Sequence, residues 1–204
     1  VGNIRIVDND VVELNNLNRQ ILYWNKDVGR VKAECAAEKL QQINGDIKIE
    51  AIAERITEDN VFELIGDCNL IVDAMDNFPP RYLLNKAALT RNIPLSHGSV
   101  YGLGGMATTI IPWHTACLRC IFAQPPPAAV IPVIGVAPGI IGCIQATEVI
   151  KYIVGIGELL RHRLLVLDGL RLSFRELIVK RDPHCQDCGH RQETGAPLYA
   201  SSTS

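Results

Sequence analysis

Apolar positions alternate with polar ones in "NIRIVD", which predicts a strand over Ile4 to Val7 that delivers Asp8 at its end. Val31 to Asn44 is rich in Ala, Glu, Lys and Leu and stops at Asn44-Gly45, the pattern of a helix with a C-terminal stop. Ile47 to Ala53 alternates as a second strand. Thr57 suits the cap of a short helix reaching about Ile65, and Asn69 to Asp73 is a short apolar strand. A helix from about Arg81 to Arg91 leads to a strand around Pro94 to Ser96. Residues 139–154 form a mostly apolar helix, in which Cys143 is expected to pack as a small hydrophobe and Glu148 and Lys151 to be solvated. Strand and helix in turn predict an α/β fold with a mainly parallel sheet covered on both faces. Ligands of such a sheet sit beyond the carboxyl ends of its strands.

Composition changes this picture little. The chain has 204 residues, 48% of them hydrophobic and 21% charged, enough for one domain with a real core. A net charge of -2 leaves no strongly basic face for nucleic acid. No apolar stretch is expected to reach the roughly 18 residues of a membrane span, and the first residues show no signal-peptide pattern. Seven cysteines, four of them in C-x-x-C pairs, fit a reducing compartment and a metal better than a disulfide framework. A cytoplasmic protein is expected.

Chemistry concentrates at strand ends. A buried apolar run delivers Asp73 and then Asp76-Asn77 to the ligand-facing edge, with Arg81 and Asn85 one helical turn apart behind them. Two carboxylates there suit Mg²⁺, which prefers oxygen ligands and substrate phosphates; Asp76 equally suits the N-cap of the following helix. Residues 8–32 gather Asn16, Arg19 and Lys32, and Arg with Lys can meet a polyphosphate as fork and point charge. Asp8 and Asp10 equally suit the start of a turn. "HGSVYGLGGMA" has four glycines but no Gly-Lys-Ser/Thr, so turn and bulge glycines explain it better than a phosphate loop. The pairs Cys117/Cys120 and Cys185/Cys188 read as a metal site, with a single redox C-x-x-C as the rival. His114, His184 and His190 lie near them in sequence.

Together "IVDNDVVELNNLNRQ", Lys32 after "VGR", "DAMDN" with Arg81 and Asn85, "GIIGCIQATEVIKYI" and the two distant cysteine pairs resemble the ThiF/HesA/MoeB family, relatives of the ubiquitin-activating enzymes. The resemblance runs from about residue 2 to residue 190. It implies a Rossmann-like fold with a C-terminal antiparallel extension. Residues 1–204 would be one adenylation domain lacking its N-terminal Gly-rich strand, turn and helix, with 114–190 as a zinc-clipped C-terminal half.

The implied activity is ATP-dependent adenylation of the C-terminal carboxylate of a ubiquitin-like sulfur carrier ending in Gly-Gly, as in thiamin or molybdopterin synthesis. Another carboxyl or amide substrate, or a non-catalytic scaffold, are the alternatives. Carried over, Asp8 would hold the ribose, Asn16, Arg19 and Lys32 the phosphates, and Asp76, beside Asn77, the magnesium. Asp76, Arg19 and Lys32 would be the catalytic set. Cys117, Cys120, Cys185 and Cys188 match structural zinc ligands, and a homodimer is implied, with neither nucleic acid nor membrane as partner. One departure is that "AQPPPAAVIPVIGVAPG", the crossover loop, has no cysteine, so no covalent carrier adduct is expected there.

Overall fold

The computed structural model describes residues 1–125 and 132–189. Two βαβ units set its first half. In the first, β1 (Asn3–Val7) and β2 (Lys48–Ile52) pair in parallel, joined through α1 (Lys32–Ile43), which packs on both. After the short α2 (Val61–Ile65), the second unit runs through β3 (Ile71–Asp73), α3 (Phe78–Arg91) and β4 (Leu95–Tyr101), again parallel. The second helix begins a turn earlier than Arg81 because Pro79 and Pro80 fit a first turn, whose N–H groups have no helical partner anyway. It ends at Asn92, which takes the left-handed conformation at φ 56°.

From β4 onward the direction changes. The chain turns back through Gly102 and Leu103 into β5 (Gly104–Ile110), and β6 (Arg163–Asp168) and β7 (Ser173–Ile178) follow, every pairing antiparallel. The five-stranded sheet β3-β4-β5-β6-β7 is therefore mixed, with one parallel pairing among its four, and β1-β2 stands as a separate pair. A mainly parallel sheet is thus not observed, because a two-residue connection can join only antiparallel strands. The glycines at 98–105 do occupy strands and their turn, as expected.

Helices cover both faces of this sheet. Leu95 and Ile110 join the core beneath α3, with Tyr82, Leu84, Ala88 and Leu118. Gly98 and Gly105 point the other way, toward α5 (Val136–Val154). A Cβ at Gly98 would lie 2.4 Å from the Gln145 amide, so helix and strand meet there at a distance only glycine allows.

Three expectations about α5 fail. Cys143 is exposed, whereas Glu148 is buried and accepts from Thr109 Oγ1 and Leu160 N, each at 2.6 Å. Ala137, Ile141, Gln145 and Glu148 share the sheet-facing stripe, and Cys143 lies off it. The helix is also long and apolar enough to cross a membrane by length and composition, contrary to the expectation that no stretch reaches that size. Its buried Gln145 and Glu148 are instead spent on hydrogen bonds to the sheet.

Candidate functional site

Asp8 leaves the carboxyl end of β1 half-buried, its Oδ1 accepting from Asp10 N at 2.8 Å. Burial pushes its carboxyl above the ordinary aspartate range; Lys32 nearby opposes the shift, and the Asp10 and Asp76 charges add to it. Tyr23, beside it, is pushed up to about 12 by burial and by the Asp8 charge. Asp8, Lys32 and Asp76, far apart in sequence, thus share one electrostatic neighbourhood.

Lys32 is the first residue of α1 and is nearly buried, with Nζ 2.9 Å from Asp10 Oδ2. Asn16 is buried and turned into its own short helical turn, accepting from Glu13 N at 3.0 Å and donating to Asn15 Oδ1 at 2.8 Å. Arg19 folds back onto Asn15 O and Asn18 Oδ1. Residues 8–32 are not purely a polar surface, since Val12 and Asp27 are buried within them. Asp27 accepts from Lys39, from Arg30 at 3.2 Å and from Trp24 N at 2.8 Å, and the Lys39 ammonium holds its carboxyl below the usual range. That ion pair anchors the whole segment to α1.

Asp76 is exposed on the turn between β3 and α3, its Oδ1 accepting from Asn77 Nδ2 at 2.8 Å. Asn77, not Asp76, takes the N-cap position of α3, and it makes no side-chain capping bond. The capping alternative for Asp76 therefore falls. Asp73 is fully buried, one oxygen 2.6 Å from His97 Nδ1, so it cannot share a solvent-facing metal with Asp76. Arg81 and Asn85 are buried as well. Asn85 accepts from Leu118 N at 2.8 Å and donates to Asp187 Oδ2 at 2.7 Å, so it ties α3 to both cysteine-bearing segments.

The four thiols converge. Sγ atoms of Cys117 and Cys120 lie 3.8 Å apart, those of Cys117 and Cys185 3.6 Å, and those of Cys120 and Cys188 3.4 Å, all four within 4.8 Å of one another. Four sulfurs at about 2.3 Å from one Zn²⁺ in a tetrahedron would stand about 3.8 Å apart, so the donor set fits that ion with no open position. Hydrogen bonds to Cys117 and Cys188 hold the Cys120 thiol far below its ordinary range, while that with Cys120 pushes Cys117 up. Asp182 N donates to Cys120 Sγ at 3.4 Å. A Cβ on Gly189 would lie 2.4 Å from Pro183 O, so the second knuckle closes tightly only with glycine there. Among the described residues no histidine joins the cluster, and His190 lies outside them.

Residues 1–188 match the description of one family, ThiF. The chain belongs to the ThiF family. Among ThiF-family relatives it is 42% identical over 195 residues to the SAMP-activating enzyme E1 of Haloferax volcanii, covering 93% of this chain and 72% of that one. It is 40% identical over 200 residues to the sulfur carrier protein adenylyltransferase of Thermus thermophilus, covering 93% and 74%. In fold it resembles E. coli MccB crystallised with ATP, with a TM-score of 0.77 and 24% identity over 92% of this chain. The chain spans 59% of that protein.

Within this ThiF-family chain several site-building residues escape a reading of the sequence. Asp10 and Lys39 look like ordinary surface charges, yet one pairs with Lys32 and the other with Asp27. His97 sits in a strand beside glycines, and only the register that places it opposite the end of β3 shows that it meets Asp73. Gln145 reaches Asp73 O at 2.9 Å and Ser96 O at 3.1 Å across the sheet, where the sole hint is the facing Gly98.

Proposed function

We propose that this chain catalyses ATP-dependent adenylation of the C-terminal carboxylate of a ubiquitin-like sulfur carrier ending in Gly-Gly. Identity of about 40% to a sulfur carrier protein adenylyltransferase and to a SAMP-activating enzyme supports the substrate class. The single observation that carries the chemistry is the Asp8–Asp10–Lys32 chain of contacts beyond the carboxyl end of β1, Asp10 N donating to Asp8 and Lys32 Nζ to Asp10, with Asp76 just past the carboxyl end of β3.

In this reaction a carboxylate oxygen bonds to the α-phosphorus of ATP, the bond to the bridging oxygen breaks, and pyrophosphate leaves with that electron pair. Two anions must approach one another, so cationic groups have to stand where charge accumulates. Asp8 would accept the ribose hydroxyls, and Asn16, Arg19 and Lys32 would face the phosphates. Lys32 would exchange its bond to exposed Asp10 for one to phosphate, a short move for an ammonium already at the helix start. Asp76, with Asn77 beside it, would hold Mg²⁺, which supplies charge neutralisation at the phosphates when bound. The four cysteines would hold a structural Zn²⁺, and no step uses it. An apolar outer strip of α5, with Ile150, Ile153 and Val154 exposed, supports a homodimer.

The test is exchange of labelled pyrophosphate into ATP by the intact protein with its carrier. Asp76→Asn should lower exchange by about 10²-fold or more, the scale for losing one electrostatic stabiliser of the transition state, with the zinc content and melting temperature of the parent. Near-parental exchange would remove Asp76 from the catalytic set, and a parent with no exchange would favour the scaffold.

A further inference from the structure

Among the described residues the Asp76 carboxylate has one hydrogen-bond partner, Asn77. The residue before it is tightly held. Met75 has both backbone polar groups held by buried side chains: its N–H donates to Asp73 Oδ1 at 2.9 Å, and its carbonyl accepts from Arg81 Nη2.

Those two side chains are themselves held from several sides. The other Asp73 oxygen lies 2.6 Å from His97 Nδ1 and 3.5 Å from Arg81 Nε, and its backbone carbonyl accepts from Gln145 Nε2. Arg81 also reaches Gly98 O at 3.4 Å and lies over the Phe78 ring. Asp73 and His97 are wholly inaccessible to solvent and Arg81 nearly so. The planar guanidinium donates to two carbonyls through Nη2 while its Nε side faces the Asp73 carboxylate as an ion pair, a two-edged arrangement that a single ammonium does not reproduce. So much buried polar machinery for a four-residue turn exceeds what burying β3 requires, since an apolar strand end would need none of it.

We propose that Asp73, Arg81 and His97 are positioning residues for Asp76, a buried set that fixes the 74–77 turn in its ligand-facing conformation before nucleotide or metal arrives. A turn ordered in advance gives up no binding free energy to become ordered. This inference rests on the role given to Asp76 above.

The test compares the intact protein with Arg81→Lys, which keeps the charge opposite Asp73 and loses the fork. Without any ligand, hydrogen exchange read by mass spectrometry over residues 72–78 should be about tenfold faster in the variant, with α1 unchanged. In pyrophosphate exchange the Mg²⁺ concentration for half-maximal rate should rise about tenfold, while KM for ATP stays within about twofold. Unchanged amide exchange together with an unchanged Mg²⁺ midpoint overturns the proposal. So does a uniform loss of active fraction at the parental midpoint, the mark of a merely structural role. Should Arg81→Lys fail to fold, Asp73→Asn serves in its place: it keeps the acceptor for Met75 N–H but loses the charge that faces Arg81, and the same two readouts apply. If the parent shows no pyrophosphate exchange, the adenylation reading fails, and amide exchange alone still decides whether these residues fix the turn.

Discussion

Asn85 separates two accounts of α3 sharply. Its oxygen accepts from Leu118 N, at the start of the four-residue α4 (Leu118–Ile121) that carries Cys120, and its nitrogen donates to Asp187, between Cys185 and Cys188. Asn85→Ala leaves a buried N–H without its acceptor, at about 1–3 kcal/mol. It also strips Asp187 of a donor, which counts toward the lower end because that carboxylate is 17% exposed and has Arg119 at 3.9 Å. The sum is about 2–4 kcal/mol, a large share of a typical domain's stability. Asn85→Asp is the more telling change. It preserves shape and the bond from Leu118 N, but sets a second carboxylate against Asp187. At neutral pH it should destabilise by as much as Ala and release zinc faster to a chromophoric chelator. The deficit should shrink in acid, where one proton shared between the two carboxyls restores a donor. Urea midpoints at constant m-value give the free energies. Parental stability and zinc release in Asn85→Asp at pH 7 would refute the bridging role. A loss of ATP affinity with neither change would place Asn85 in the ligand site instead.

Cys188→Ser should lose the metal and, by the chain-entropy relation for a closed loop spanning 68 positions, about 4 kcal/mol of stability, while exposed Cys143→Ser keeps both; metal analysis and thermal melts check this. Asp8→Asn should raise the unfolding midpoint at pH 7, because a carboxyl whose folded pKa is raised contributes stability only while protonated. That gain should vanish as pH falls toward the ordinary value of 3.8, and a constant gain across pH would contradict it. Gly98→Ala should force Gln145 off Asp73 O and Ser96 O, seen as faster amide exchange along β4 with α1 unaffected.

What the sequence reveals depends on how far each feature reaches. Helix α1 was legible because its composition and its Asn44 stop are local, and the cysteine pairs because their spacing is itself the chemistry. Strand direction was not, since "YGLGG" as a hairpin and as a loop look alike until β5 pairs with β4. Asp73 and Asp76 read as equivalent carboxylates, yet one ends a buried strand and the other follows it onto an open turn. Glu148 misled, and the role of Asn85 went unread, for one reason: a polar residue's partner lies elsewhere in the chain, 33 and 102 positions away for Asn85, 39 and 12 for Glu148. No local window contains that information.

The 68 positions between the knuckles also fix an order of events in time. At a synthesis rate of about 5–20 residues per second, Cys188 leaves the ribosome roughly 3–14 s after Cys120. For that interval Cys117 and Cys120 would form a half-site of two soft sulfur donors, able to take and release a thiophilic ion. Only when α5, β6 and β7 exist can the second knuckle arrive and close the tetrahedron. Which metal such a site would keep is therefore decided late, by the segment that completes the shell rather than by the pair that would meet metal first.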